Sequence, residues 1–186
     1  MGTRVGDGPQ AARERSPGGG VCCAAVKHTL SVLVENKPGV LSRVSGLFTR
    51  RGYNIDSLAV SPTEDPDRTR MTITVDASRF PVEQITKQLD KLINVLKIRD
   101  LDPENMVSRE LALMKVAADA RTRSEVIQLV EIFEARIIDV APESLTIQVT
   151  GETDELLNFE QLLRPFGLIE LVKTGVVALG RGGSIT

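Results

Sequence analysis

From Lys27 onward, apolar and polar positions alternate. His28, Leu30, Val32 and Val34 fall on one side, with Thr29, Ser31 and Glu35 on the other. A period of two predicts a strand buried mainly on one face. At Val40 the period lengthens. Val40, Leu41, Val44, Leu47 and Phe48 recur at helical spacing, opposite Ser42, Arg43, Ser45 and Arg50. Gly52, after Arg50 and Arg51, stops that helix. Residues 53–60 read as a second strand, and residues 62–67 as a polar loop with two prolines. Met71, Ile73 and Val75 alternate with Arg70, Thr72, Thr74 and Asp76, a third strand in hairpin relation to the second. Pro81 opens a second helix with the stripe Val82, Ile85, Leu89 and Leu92, and residues 95–99 form a fourth strand.

Residues 28–101 therefore spell β-α-β-β-α-β. Asp102-Pro103-Glu104-Asn105 breaks the pattern, and the same order then returns. Residues 110–117 are a strand. Thr122 caps a helix with Val126, Leu129, Val130 and Phe133 on one face, and Glu125 gives it capping-box spacing. Residues 137–140 and 145–149 are strands joined by a Pro142-Glu143 turn. Leu156, Phe159, Leu163 and Phe166 make a second stripe that Gly167 ends, and residues 168–179 finish the unit with one strand or two.

The simplest account is an α+β chain of two consecutive ferredoxin-like βαββαβ sandwiches. The expected boundaries are a disordered tail at 1–26, a first domain at 27–102 and a second at 106–181. In each unit both helices cover one sheet face. The other face and the sheet edges need a partner or a polar coat. Units of about 75 residues have small cores and gain from association, so a homodimer is expected.

Composition narrows the function classes. A net charge of -2 over 186 residues gives no electrostatic footprint for nucleic acid. With no Trp and one Tyr, stacking platforms for single strands are excluded. No apolar run approaches a membrane span, so no membrane partner is expected. Cys22 and Cys23 are adjacent and have no metal-ligand spacing, which fits a reducing cytoplasmic compartment. Residues 1–25 are rich in Gly, Arg and Pro, Gly18-Gly19-Gly20 is a linker signal, and no secretory apolar core is present. A plastid location is the alternative if residues 1–26 are a targeting remnant, although Asp7 and Glu14 argue against a transit peptide.

Catalysis finds little support. His28, the only histidine, sits on the apolar side of a strand and reads as structural. No His-based triad can be assembled, and there is neither a phosphate loop nor a dinucleotide fingerprint. No catalytic residue, metal site or resident cofactor is expected. Binding is better supported. Asn36 stands where a helix N-cap belongs, Pro38 fits a first helical turn, and Gly39 lets another molecule approach the backbone. Free N–H groups at Gly39, Val40 and Leu41 can take a carboxylate. Asn36 and Asn54 can hold the charged ends of a zwitterion, and nearby Val and Ile55 can take an aliphatic tail. The bland alternatives are a capped helix start and, for Asn54, a turn residue.

The stretch from His28 to Arg43, with Gly46-Leu47-Phe48 and Arg51-Gly52-Tyr53-Asn54-Ile55-Asp56-Ser57-Leu58, resembles the small regulatory subunit family of acetolactate synthase. Further matching runs are Gln88-Leu89-Asp90-Lys91-Leu92-Ile93-Asn94-Val95, Arg109-Glu110-Leu111-Ala112-Leu113, Ile137-Ile138-Asp139-Val140 and Thr174-Gly175-Val176-Val177-Ala178-Leu179. The resemblance spans roughly residues 27–181. It implies an N-terminal ACT domain, a related C-terminal domain and no catalysis by this chain. It implies a separate catalytic (large) subunit that uses thiamine diphosphate, Mg²⁺ and FAD to condense pyruvate with pyruvate or 2-oxobutyrate. The small subunit raises that activity and confers feedback inhibition, usually by valine. The resemblance places the effector between two ACT domains, at Asn36, Gly39, Val40 and Leu41 of one chain and Asn54 and Ile55 of the other. Lys37-Pro38 departs from the more acidic or small residues of some relatives, which bears on effector choice. The rival classes are a stand-alone ACT-type sensor acting on a transcription or transport partner, and an independent enzyme on the same scaffold.

Overall fold

The computed structural model describes residues 27–183. The readings made on residues 1–26, Cys22 and Cys23 included, lie outside the described residues. The first unit runs β1 (Lys27–Glu35), α1 (Val40–Arg51), β2 (Ile55–Pro62), β3 (Arg68–Asp76), α2 (Val82–Leu89) and β4 (Val95–Leu101). Its antiparallel sheet has the order β2-β3-β1-β4. The second unit repeats it with β5 (Met106–Ala117), α3 (Arg123–Ile132), β6 (Arg136–Val140), β7 (Ser144–Gly151), α4 (Thr153–Leu163) and β8 (Leu168–Lys173), in the order β6-β7-β5-β8. Two ferredoxin-like βαββαβ sandwiches are thus present, as the periodicity predicts.

Each core lies between a sheet and its own two helices. In the first, Leu30, Val32, Val34, Met71, Ile73 and Val75 pack under Val44, Phe48, Ile85 and Leu89. In the second, Met114, Val116 and Ile147 pack under Val126, Val130, Leu156, Phe159 and Leu163. Gly52 ends α1 in the left-handed region (φ 68°), and its N–H caps the carbonyls of Phe48 and Thr49. The second strand starts two residues later than its pattern suggests. Tyr53 is buried before it begins, its ring edge-on to Phe48 and Phe80. The expected Thr122 cap is not formed. Asp119 Oδ1 takes the N–H groups of Arg121 and Thr122 instead. A capping box does form, at α4, between Glu152 and Glu155.

The largest departure concerns β1. Its residues from Thr29 to Val34 are buried on both faces, not on one. The cover comes from the end of the chain. After β8 the backbone crosses back to the first unit, and β9 (Val177–Gly180) pairs antiparallel with Met106–Arg109, the start of β5. This two-stranded ribbon lies on the helix-free face of the first sheet. Val176 and Ala178 are buried there with Leu101 and Met106. The Val176 N–H donates to Ser57 Oγ at 2.8 Å. At Gly175 the backbones come so close that a Cβ would collide with the Leu58 carbonyl oxygen and sit 3.0 Å from the Ala59 nitrogen. Beneath, the hydroxyls of Ser31 and Thr74 are buried without a hydrogen-bond partner. Leaving such a group unmet costs about 1–3 kcal/mol, which the apolar cover has to outweigh.

In the second unit Glu160 is nearly buried on α4. Its two carboxylate oxygens meet Lys173 Nζ at 3.0 Å and Arg164 Nη2 at 2.6 Å. The Lys173 hydrogen bond, then that of Arg164, holds its pKa below the ordinary glutamate value. A depressed folded pKa contributes stability that is present above the unfolded value and lost as pH falls through the folded one. In urea unfolding at stepped pH, Glu160→Gln should therefore be less stable than the parent at neutral pH, and the gap should close in acid. Gly175→Val should lower stability by about 1–3 kcal/mol through overpacking. Gly183→Ala, where a Cβ meets open space, should leave it unchanged.

Candidate functional site

The turn between β1 and α1 opens into a pocket of about 370 Å³. Glu35, Asn36, Lys37, Gly39, Val40 and Leu41 form one wall. Val60, Ser61, Pro62, Thr69 and Met71, brought over by the β2–β3 hairpin, form the other, with Val34 beneath. That volume lies in the range of small-ligand sites. Leu41 and Val60 stay more than two-fifths exposed at its mouth.

The local structure differs from the sequence reading in how the helix is capped. Gly39, not Asn36, is the N-cap residue, with φ 82° and no side-chain cap bond. Pro38 therefore precedes the helix and does not occupy its first turn. Asn36 fastens the β2–β3 loop instead. Its N–H donates to the Asp67 carbonyl at 2.8 Å and its Nδ2 to the Pro66 carbonyl at 2.8 Å. The Asn36 amide oxygen is left as an acceptor at the pocket. The first intrahelical bond runs from the Arg43 N–H to the Gly39 carbonyl at 3.1 Å. The Leu41 and Ser42 N–H groups precede it, as orphans of a helix start do. The Val40 N–H turns back to the Lys37 carbonyl at 3.4 Å, so it contributes less to the pocket than expected. The first turn of α1 carries no acid, which leaves its positive end for a ligand. A Cβ on Gly39 would meet nothing within 4 Å, so the space in front of the turn is open.

A chain of polar groups braces the turn from the side. Lys37 Nζ lies 3.2 Å from Glu35 Oε2, which also accepts from Asn94 Nδ2 at 2.6 Å. Arg43 Nη1 donates to Asn94 Oδ1 at 2.5 Å, and the Glu35 N–H donates to the Asn94 carbonyl at 2.9 Å. The Asn94 hydrogen bond, then that of Lys37, holds the Glu35 carboxyl below its usual range. Asn94 comes from the α2–β4 turn, about sixty residues along the chain, so periodicity could not assign it.

Asn54 and Ile55 lie elsewhere. Asn54 Nδ2 donates to Asp56 Oδ1 at 2.7 Å, and Lys27 holds the other Asp56 oxygen at 3.3 Å. Ile55 pairs with Val75 and packs against the first core. Both stand at the start of β2, whereas Ser61 and Pro62 of the pocket stand at its end. Eight residues of strand separate the two sets by roughly 25 Å. The fold thus brings Asn36, Gly39, Val40 and Leu41 together and leaves Asn54 and Ile55 out of reach within one chain.

Elsewhere, His28 Nδ1 meets Asp100 Oδ2 at 3.0 Å, a partner suited to a structural histidine. Among the described residues, no group of His, Cys, Asp and Glu is placed to hold a metal ion, and no helix is long and apolar enough to cross a membrane.

Tandem ferredoxin-like units with a ligand-sized pocket at one helix start make this a two-domain chain of the regulatory ACT type. Residues 30–97 match the family model of the acetohydroxyacid synthase small subunit-like ACT domain, and residues 109–182 that of the small subunit of acetolactate synthase. The acetolactate synthase small subunit of Mycobacterium bovis is 60% identical over 155 residues, 83% of this chain and 92% of that one. The probable acetolactate synthase small subunit of Methanothermobacter thermautotrophicus is 52% identical over 156 residues, 83% of this chain and 93% of that one. The crystal structure of the small subunit from Thermotoga maritima superposes with a TM-score of 0.79 at 43% identity, over 85% of this chain and 99% of that one. The chain belongs to the acetolactate synthase small-subunit family. It is a regulatory subunit, and a small subunit implies a large catalytic one as partner.

Replacing the buried Asn94 by Ala would remove the bridge between the half-buried Glu35 and the exposed Arg43 and leave the space of its own side chain unfilled. Denaturant unfolding should register a lower midpoint than the parent, because a buried side chain and its hydrogen bonds are lost while water takes over at Glu35 and Arg43.

Proposed function

We propose that this chain raises the activity of a separate acetolactate synthase catalytic subunit and makes it subject to feedback inhibition by valine. The effector is held between the first domains of two copies. One observation carries the reading. Asn36, Gly39, Val40 and Leu41 gather at one end of the first sheet, while Asn54 and Ile55 sit at the other end of the edge strand β2. Only a second copy can bring the two sets to one ligand. A two-fold axis that joins them once joins them twice, giving two equivalent sites per dimer. The open space in front of Gly39 and the exposed Val60 and Leu41 suit such a contact.

In this arrangement the valine carboxylate lies at the Leu41 and Ser42 N–H groups. Its ammonium meets the amide oxygen of Asn36 and that of Asn54 from the second copy. Its isopropyl group lies against Val34, Val60 and Met71. The chemistry stays with the catalytic subunit and its thiamine diphosphate, Mg²⁺ and FAD, in the cytoplasm that both subunits share. Inhibition then requires valine to bind the low-activity state of the complex more tightly than the active one. A difference of about 1–3 kcal/mol makes a useful switch.

Reconstitution with an acetolactate synthase catalytic subunit, assayed with and without valine, tests the reading. The chain should raise the basal rate, and valine should bring it down. Titration of the chain alone with valine, leucine and isoleucine should show saturable heat for at least one. Silence with all three at millimolar levels would sink the effector site. Gly39→Asp keeps a residue type that tolerates the left-handed backbone and places a carboxylate in the anion position. That variant should still activate but no longer respond to valine. Retained inhibition would show the site to be misplaced.

A further inference from the structure

The wall that the pocket at the β1–α1 turn offers to an aliphatic side chain is not wholly apolar. Thr69 stands in it, on the inner strand β3, opposite Val34 on β1 and Pro62 on β2. Alternation along β3 puts Thr69 on the same sheet face as Met71, the face that carries the first core. Thr69 is 9% exposed, and its hydroxyl makes no hydrogen bond among the described residues. The hydroxyls of Ser31, Tyr53 and Thr74 are also unmet, but those three are sealed off. Thr69 is not one of the sealed groups, and it borders the pocket. Ser61, the pocket's other hydroxyl residue, is exposed, and its pairing with Arg70 puts it on the opposite sheet face. A hydroxyl both donates and accepts. Left unmet in a nearly buried aliphatic wall, it carries a penalty that a ligand hydroxyl at the same place would remove. Valine has no such group. An amino acid of valine's shape with one methyl exchanged for a hydroxyl does have it, and a pocket fitted to the first cannot strongly reject the second on size.

We propose, resting on the valine reading of this pocket, that it also takes the β-hydroxylated isostere of valine, with the ligand hydroxyl on Thr69 Oγ1. The carboxylate and ammonium keep the places given to those of valine, at the Leu41 and Ser42 N–H groups and at Asn36. The methyl branch lies against Val34 and Met71, and the hydroxyl branch turns to Thr69. One side chain then sets the ratio between an aliphatic and a hydroxylated effector. Thr69 is held for that task by its neighbours in the sheet, since β3 is paired on both sides at this position.

The test is calorimetric titration of the full chain with valine, L-threonine and L-allo-threonine. The last two carry the hydroxyl on one or the other of valine's two branch positions, and one fixed hydroxyl can meet only one of them. One epimer should bind saturably and be displaced by valine. The other should bind at least about ten-fold more weakly, the difference that one buried hydrogen bond makes. Thr69→Val, of nearly the same shape, should erase the difference between the epimers and leave valine at least as tight as before. Thr69→Ser, which keeps the hydroxyl, should preserve the difference. Gly39→Asp should abolish binding of all three. No binding by either epimer, equal binding of the two, a difference that survives Thr69→Val, or binding that valine does not displace would overturn the proposal and leave the valine reading standing. Silence with valine and both epimers would overturn the two together. An epimer that binds through Thr69 where valine does not bind would count against the valine reading alone.

Discussion

A four-stranded sheet with its helices on one side has a second face that must go somewhere. In this chain that face governs the arrangement. The first sheet does not leave it to solvent. It receives the ribbon formed by the start of β5 and the returning β9, seated where Gly175 lets two backbones meet. The two repeated units are thereby joined through an apolar patch of Leu101, Met106, Val176 and Ala178. The linker between them is short, a single 3-10 turn at Pro103–Asn105 capped by Asp102. Domain orientation rests on this patch together with the backbone contact at β2.

The same strand carries both ends of the functional argument. β2 has a free edge, begins at Asn54 and Ile55, and ends in the pocket wall at Ser61 and Pro62. Its outer side, at Ser57 and Leu58, bears the ribbon. A ligand that orders one end of β2 and a domain that rests on its middle act on one rigid element. That is the kind of shared part through which two sites can bias each other, provided it has two arrangements to choose between.

Much of the architecture was legible in the sequence because helix and strand periods recur in the same order twice. The positions that face the cores, from Leu30 to Leu163, follow from those periods alone. What the pattern hid was non-local. The burial of Thr29, Ser31 and Thr74 depends on a segment about a hundred residues or more away, and their polar character pointed to solvent. Local hydrogen-bonding chemistry favours Asn36 as a helix cap, yet a bond to the Pro66 carbonyl wins. Gly39 takes the cap position by its backbone freedom (φ 82°). The periods place a helix start at residues 36–41, while the hairpin residues that line the pocket there and the Asn94 that braces the turn come only with the fold. Asn54 and Ile55, candidates for their amide and aliphatic chemistry as well as through the family resemblance, stand at the far end of β2 from the pocket.

The closing strand also sets an order of events during synthesis. The first unit leaves the ribosome with its helix-free face bare, and β9 and Gly175, which help to seal it, are made only after the whole second unit. At typical elongation rates of ~5–20 residues per second, the roughly 75 residues between Leu101 and Gly175 take on the order of 4–15 seconds. For that interval the nascent chain carries an exposed edge strand and an unsealed sheet, the features that invite wrong pairing. The hydroxyl-rich make-up of that face, with Thr29, Ser31, Thr72 and Thr74, keeps it wettable while it waits. The two unmet hydroxyls under the ribbon are thus a fixed cost of a surface that has to be safe before it is covered.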